Sequence, residues 1–289
     1  MTNAILTGLM LGGMYALIAM GLTLQYGVAR IMNLSYGEVL IAAAFGAQGL
    51  FTGWALSPFA GLAFVIPVAF LLNLAIYRVL LSPLVRRART RDALEVDSIL
   101  ATFGLAFILQ GIMLSMFGGA YYSYSYLASP VHLFGETIAA NRLAALAVCI
   151  LLGGSLYLAL TQTRGGTAIR AVAVDPAAAQ LVAIDVARTA AFTFALGGAL
   201  VASAGVLIST FLTFSATSGV VFTMKALIVV VMGGVGNMLG CLVAGLLLGV
   251  SEALVASLID PGLTLAVNFA LFLVVLLVKP AGLFGRASR

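Results

Sequence analysis

The sequence predicts an all-α polytopic membrane protein with about 8–10 transmembrane segments, interrupted helices and a water-facing helical segment between two spans. Three observations carry that prediction. Of 289 residues, 63% are hydrophobic and 8% charged, whereas a soluble domain carries about 25% charged residues. Charge-free runs well above the roughly 18-residue length of a membrane span recur along the chain, and the mean hydropathy is +1.19. The runs are continuously apolar rather than alternating, which argues against a β-barrel.

Composition narrows the function classes further. The net charge is +5, but the arginines cluster in connecting segments, where they act as orientation signals in a lipid membrane. No nucleic-acid partner is expected. Cys149 and Cys241 lie inside apolar runs, so neither a disulfide framework nor thiol chemistry is indicated. The start, MTNAILTGLM, lacks the basic n-region of a cleaved signal peptide.

Taken in order, Ala4 to Val28 is the first span, with Gly8, Gly12 and Gly13 forming a face for close helix packing. A polar interruption, Ile31 to Glu38, opens a second span from Val39 to about Phe51. Trp54 sits in an interfacial turn before a third span, Phe59 to about Leu81. Ser82 to Asp97 reads as a loop holding Arg86, Arg87, Arg89 and Arg91, and Ser98 to Phe117 as the fourth span. The tyrosine-rich Gly118–Asn141 segment reads as an external loop, and Arg142 to Thr163 as the fifth span. Val186 to Leu212 is the sixth. Lys225 to Ser257 is too long for one span and divides at Gly233–Asn237 into a short and a longer helix. Asp260–Pro261 turns the chain into a last span, Leu263 to Val278.

That order makes residues 1–289 a single transmembrane domain, with cytoplasmic loops at about 82–97 and 164–188. With the N-terminus outside and the C-terminus inside, Arg30, the Arg86–Arg91 cluster, Arg164, Arg170, Arg188, Lys279, Arg286 and Arg289 all face the cytoplasm. Arg142 and Lys225 are the exceptions. The breaks at Asn33–Glu38 and Gly233–Asn237 each precede an Ala/Gly-rich helix of the same direction, a form that internal repeats of transporters take.

Little in the chain can carry covalent chemistry. Neither lysine, Lys225 or Lys279, follows a phosphate-binding glycine loop, so ATP hydrolysis is not expected of this chain. A lone His132 makes neither a metal site nor a triad. The notable carboxylates are Glu38 and Glu252, because an ionisable group within a span is costly and marks a functional candidate. Each also has a structural reading: Glu38 as a helix-start charge near the cytoplasmic side, Glu252 as a residue near the outer interface. Asn33 and Asn237 either bond freed backbone groups at the breaks or line a polar route.

Between the fifth and sixth spans lies RGGTAIRAVAVDPAAAQLVAIDVARTAA, Arg164–Ala191. Gly165 and Gly166 read as the end of the incoming helix, and Thr167 to Val174 as two helical turns. Asp175 then caps a second short helix with Pro176 at its permitted first position. Ala178 and Ala179 give that helix a small-residue surface suited to docking in a groove of another protein. Asp185 is the N-cap of the sixth span.

At these residues the chain resembles the permease subunits of bacterial ABC importers for branched-chain amino acids, and more closely the shorter of that system's two paired permeases. The resemblance runs through Tyr15–Gly21 (YALIAMG), Tyr26–Gly27, Arg164–Asp175 (RGGTAIRAVAVD), Ile184–Arg188, Met224–Asn237 and Pro280–Gly285 (PAGLFG) in the family's order. The chain departs from it at two places. Asn33-Leu34-Ser35-Tyr36-Gly37-Glu38 stands where the family reads Asn-Phe-Ala-His-Gly-Glu, and Ala183 where it has Gly.

The resemblance implies a transport mechanism. Two permeases, usually different, would form the pore, two cytoplasmic ATPases would bind ATP and Mg beneath them, and an external binding protein would deliver the solute. This chain would hold no cofactor of its own. Arg164, Gly165, Arg170, Asp175, Pro176, Ala178, Ala179, Asp185 and Arg188 would form the segment coupled to the ATPase. Asn33, Ser35, Tyr36, Glu38, Asn237 and Glu252 are the candidates for the solute pathway or its gate. The solute would be a branched-chain amino acid or another small polar molecule, since relatives in the superfamily carry urea and amides. Two other classes fit the composition: a proton- or ion-coupled secondary transporter using Glu38 or Glu252, and a passive channel.

Overall fold

The computed structural model describes residues 1–88, 90–133 and 136–285. Arg89, Arg286 and Arg289 of the expected cytoplasmic charges lie outside the described residues. The helices are α1 (Thr2–Ala29), α2 (Tyr36–Trp54), α3 (Pro58–Ile76), α4 (Ser82–Arg87), α5 (Arg91–Phe117), α6 (Ala140–Gln162), α7 (Arg164–Val174), α8 (Pro176–Leu181), α9 (Val186–Ser209), α10 (Gly219–Gly233), α11 (Met238–Leu258) and α12 (Thr264–Val278). Among the described residues, seven helical stretches are long and apolar enough to cross a membrane. The chain is therefore an all-α polytopic membrane protein. The polar start of α2 and the 15-residue length of α10 set these two helices apart from the seven. Together the nine correspond to the nine segments read in sequence.

The connections differ from expectation in three places. A π-helical stretch, Tyr77–Leu81, carries α3 into α4 without a break, so helix extends to Arg87 and resumes at Arg91 where a longer loop was expected. Pro83 is tolerated there because it occupies the start of α4. The Gly118–Asn141 segment holds a two-stranded antiparallel hairpin, β1 (Pro130–Leu133) with β2 (Glu136–Ala139). Gly165 and Gly166 do not end α6. Thr163 caps a new helix by accepting the Gly166 N–H at 3.0 Å, and the two glycines form the first turn of α7.

The core forms around α1 and α9. Buried residues make up 89% of the membrane-crossing window of α9 and 72% of that of α1, against 11% for α5 and 6% for the last span. Close approach explains why small residues crowd these helices. A Cβ on Gly249 would overlap the backbone of Gly12 and the Gly8 carbonyl, and one on Gly245 would overlap Ala16. Antiparallel α1 and α11 thus cross at backbone contact, where dispersion and packing drive association in lipid. Gly8 and Gly12 of the face read in the sequence lie in this seam, whereas Gly13 packs against Leu146 and Cys149 of α6.

The bundle has two distinct ends. Met1, Arg142, Ser257, Pro261 and Thr264 surround one cavity at the first end. Contacts Tyr26–Glu95 and Arg30–Ala173 place the α7 and α8 segment at the other. The described basic residues Arg30, Arg86, Arg87, Arg164, Arg170, Arg188 and Lys279 belong to segments at that second end.

Candidate functional site

The first break is held by a polar network half-way through the bundle. α1 stops at Arg30, whose left-handed conformation (φ 55°) turns the chain back. The Asn33 carboxamide oxygen accepts from the Ser35 N–H at 3.1 Å and the Ser35 hydroxyl at 2.7 Å. Its amide donates to Gln25 at 3.0 Å, and Gln25 donates to the Phe194 carbonyl at 2.9 Å. Thr102 of α5 accepts the Leu34 N–H at 3.1 Å and lies 2.9 Å from the Met32 carbonyl. Backbone groups freed by the interruption are thus satisfied internally, as a hydrocarbon surrounding requires. Asn33 and Ser35 are buried and bond these freed groups.

Tyr36 opens α2 and fixes its depth. The Tyr36 hydroxyl lies 2.9 Å from the Ile18 carbonyl of α1 and 3.2 Å from the Gly197 carbonyl of α9. Both carbonyls sit near the middle of their helices. The start of α2 is therefore at mid-depth, not near the end of the bundle expected for Glu38. The reason is the six-residue climb from Arg30 to Ser35, packed against α1 and α5, which carries the chain back inward. The Gly37 N–H donates to the Thr223 hydroxyl of α10 at 2.9 Å. A Cβ on Gly37 would overlap the Gly219 carbonyl, so the N-terminal ends of α2 and α10 meet directly. Glu38 lies between them, only 1% exposed, and its Oε2 has no hydrogen-bond partner among the described residues.

Glu252 is placed differently. Lys225 of α10 donates to both its oxygens, at 2.7 and 2.9 Å, and to the Tyr15 hydroxyl at 2.8 Å. Asn268 of α12 approaches Oε2 at 3.4 Å. One ion pair therefore joins α1, α10, α11 and α12. Lys225, a charge that fits no loop, is explained by this partner, since a cation at this depth survives only when paired and hydrogen-bonded. Glu252 also borders a cavity of about 620 Å³ at the Met1 end, shared with Arg142 and Thr7.

Asn237 lies at the opposite end, at the second break. It caps α11 by accepting the Gly240 N–H at 3.0 Å, and its amide donates to the Phe284 carbonyl at 3.1 Å. Gly234 (φ 97°) and Gly236 (φ 86°) make the turn. Phe284 and Leu283 donate back to the carbonyls of Gly233 and Met232 at 3.2 and 2.7 Å. Asn237 therefore ties the C-terminal turn to the break.

The third place is α7 and α8. Asp175 caps α8 by accepting the N–H groups of Ala177 and Ala178 at 2.9 and 3.2 Å. Asp185 caps α9 through the Arg188 N–H at 3.0 Å and pairs with the Arg188 guanidinium at 3.0 Å. Ala183 adopts φ 60°, a left-handed conformation that glycine takes at no steric cost. Gly166 packs on the Ala159 carbonyl and the Leu160 backbone, locking α7 to α6. Ile169, Val172 and Ala179 turn inward, whereas Arg164, Gly165, Arg170 and Ala178 face out and Pro176 is half-buried. Val174, Leu181 and Val182 are 84%, 88% and 68% exposed, an apolar patch beyond the spans.

The structure thus brings Asn33, Ser35, Tyr36 and Glu38 into one mid-depth cluster and leaves Glu252 and Asn237 at opposite ends of α11. Sequence reasoning missed Gln25, Tyr15, Thr102, Thr223 and Asn268. The signal for Gln25 was a carboxamide within an otherwise apolar first span, and that for Asn268 a similar one in the last.

The chain matches, over residues 4–276, the family described as branched-chain amino acid transport system / permease component. It is 31% identical to the high-affinity branched-chain amino acid transport system permease protein LivH of Escherichia coli (strain K12), across 96% of this chain and 94% of that protein. It is 29% identical to the high-affinity branched-chain amino acid transport system permease protein BraD of Pseudomonas aeruginosa, across 98% and 95%. No solved structure matches it.

Proposed function

The chain belongs to the family of permease components of branched-chain amino acid transport systems, and from that premise we propose that it is the membrane subunit of an ATP-driven importer in the bacterial inner membrane. Its solute is a branched-chain amino acid or a similar small polar molecule. It works as a single transmembrane unit beside a second permease, a different and longer chain. Two ATPases on the cytoplasmic side hold ATP and Mg, and a binding protein outside delivers the solute. The clustering of Arg30, Arg86, Arg87, Arg164, Arg170, Arg188 and Lys279 supports a cytoplasmic α7–α8 end and an outer N-terminus.

One observation carries the coupling part of this reading. Val174, Leu181 and Val182 are exposed on a capped helix pair outside the membrane-crossing stretches, and an apolar patch of this kind marks a protein contact. Closure of the ATPases would press on α8. Through the Gly166 contact the displacement passes into α6, and through Asp185 it passes into α9. α9 bears on the first break by way of Phe194, Gln25 and Asn33, a rigid-body transfer between packed helices.

The ion-coupled alternative loses its second carboxylate, because Glu252 is held by Lys225. Leucine uptake into proteoliposomes containing the chain and its partners separates the two. The proposal expects uptake that requires ATP and survives collapse of the proton gradient. Uptake that needs the gradient and ignores ATP would overturn it.

A further inference from the structure

Glu38 has no role in the network just described, and its surroundings are specific. It lies between the first turns of α2 and α10, at mid-depth in the bundle, 1% exposed. A side chain on Gly219 would overlap its carboxylate carbon and both oxygens. Ser218 gives α10 no side-chain cap. Two helix N-termini, each worth roughly half a positive charge, therefore flank one carboxylate. They explain how an acid is tolerated so far from water. They leave Oε2 without a hydrogen-bond donor among the described residues.

A second, independent feature leads to the same place. On α2 the positions Glu38, Ala42, Gly46, Gly49 and Gly53 recur at helical spacing along one side. Gly46, Gly49 and Gly53 are exposed, and a Cβ on any of them would meet nothing within 4 Å. This contrasts with Gly37 on the same helix, where backbone contact forbids a side chain. The bare glycines are not explained by packing within the chain. They leave the outer part of that side bare, from the Trp54 end of α2 to Gly46, two turns above the buried Glu38.

We propose that Glu38 receives the ammonium group of the transported solute, and that the glycine face of α2 is the wall along which its aliphatic side chain travels. The inference rests on the reading of the chain as an amino-acid permease and adds which group of the solute this subunit recognises. An ammonium donates to a carboxylate that lacks a donor, and its charge is compensated at a depth where an unpaired cation is costly. The missing Cβ atoms leave room for a branched side chain, as small residues do wherever close approach is needed.

The test uses the assembled transporter in proteoliposomes with saturating loaded binding protein. Glu38→Gln keeps the volume of the side chain and removes its charge. It is expected to lower leucine uptake about tenfold to a hundredfold, the fold-change of one charge-assisted contact, with assembly and ATP hydrolysis retained. Uptake within twofold of the unsubstituted protein would overturn the proposal, as would an equal fall in ATP hydrolysis, which would place Glu38 in the drive.

Leucine binding to the detergent-solubilised transporter without binding protein gives a readout that packing alone would not move. Isoamylamine, which keeps the ammonium, should compete with leucine, and isocaproate, which keeps only the carboxylate, should not. The opposite order overturns the proposal. If Glu38→Gln does not assemble, Gly49→Val tests the route: uptake should fall with assembly intact, and unchanged uptake removes it. If that variant instead fails to assemble with the second permease, the glycine side of α2 is a helix-packing face and the proposal falls. Each of these failures leaves ATP-driven leucine uptake by the unsubstituted transporter in place. Absence of that uptake would count against the permease reading itself.

Discussion

Removing Lys225 and Glu252 together should destabilise the protein by less than the sum of removing each alone. The pair is 2.7 Å apart, with side chains 11% and 14% exposed, so solvent screens it little. At about 2.8 Å and an effective dielectric near 20, the attraction is about 6 kcal/mol. Desolvation of both ions offsets much of it. Lys225→Met leaves the Glu252 charge with only neutral neighbours, Asn268 at 3.4 Å and the Tyr15 hydroxyl, and breaking such a buried pair costs about 3–5 kcal/mol. Glu252→Gln strands Lys225 beside Tyr15 and should cost a similar amount. The double variant, Lys225→Met with Glu252→Gln, strands no charge, so the coupling energy should be about 2–3 kcal/mol. Reversible unfolding in mixed detergent micelles measures all four corners of this cycle. Additive losses would refute the argument, because they would show that the two charges do not stabilise one another in the folded bundle.

Two packing predictions follow from single backbone positions. Gly249→Leu forces a side chain into the Gly12 backbone and should cost about 3 kcal/mol, the upper part of the overpacking range. Gly154→Ala, with nothing within 4 Å of the added methyl, should instead stabilise by about 0.5–1 kcal/mol; the same unfolding assay reads both. Ala183→Gly should raise stability by about 1 kcal/mol, because Ala183 holds φ 60° and an L-residue pays about that for the left-handed region. Transport by that variant should be unchanged, and an unaltered midpoint would show that the turn relaxes without cost.

The class and order of the elements were legible because long apolar runs and their charged punctuation are local signals. Asp175 and Asp185 were readable as caps for the same reason: the capping residue and the N–H groups it satisfies are two or three positions apart. Depth was not readable. Nothing in Asn33–Glu38 states that Tyr36 reaches Ile18 and Gly197, contacts of long sequence separation that set α2 at mid-bundle. Lys225 looked misplaced because its partner Glu252 lies 27 residues away on another helix. Gly165 and Gly166 read as a helix end by composition, yet Gly166 is needed for contact with α6, and Thr163 supplies the cap. Glycines that permit packing and glycines that end helices look alike in sequence.

The most direct measurement of the proposed coupling is ATP hydrolysis and leucine uptake recorded together in one proteoliposome preparation. Asp175→Arg removes the cap of α8, and Ala178→Trp places bulk on its outward face. Both substitutions lie outside the membrane-crossing stretches and away from the bundle core. The predicted result is a transporter that assembles and hydrolyses ATP but imports little or no leucine. Normal import per ATP in both variants would contradict a drive through α7 and α8.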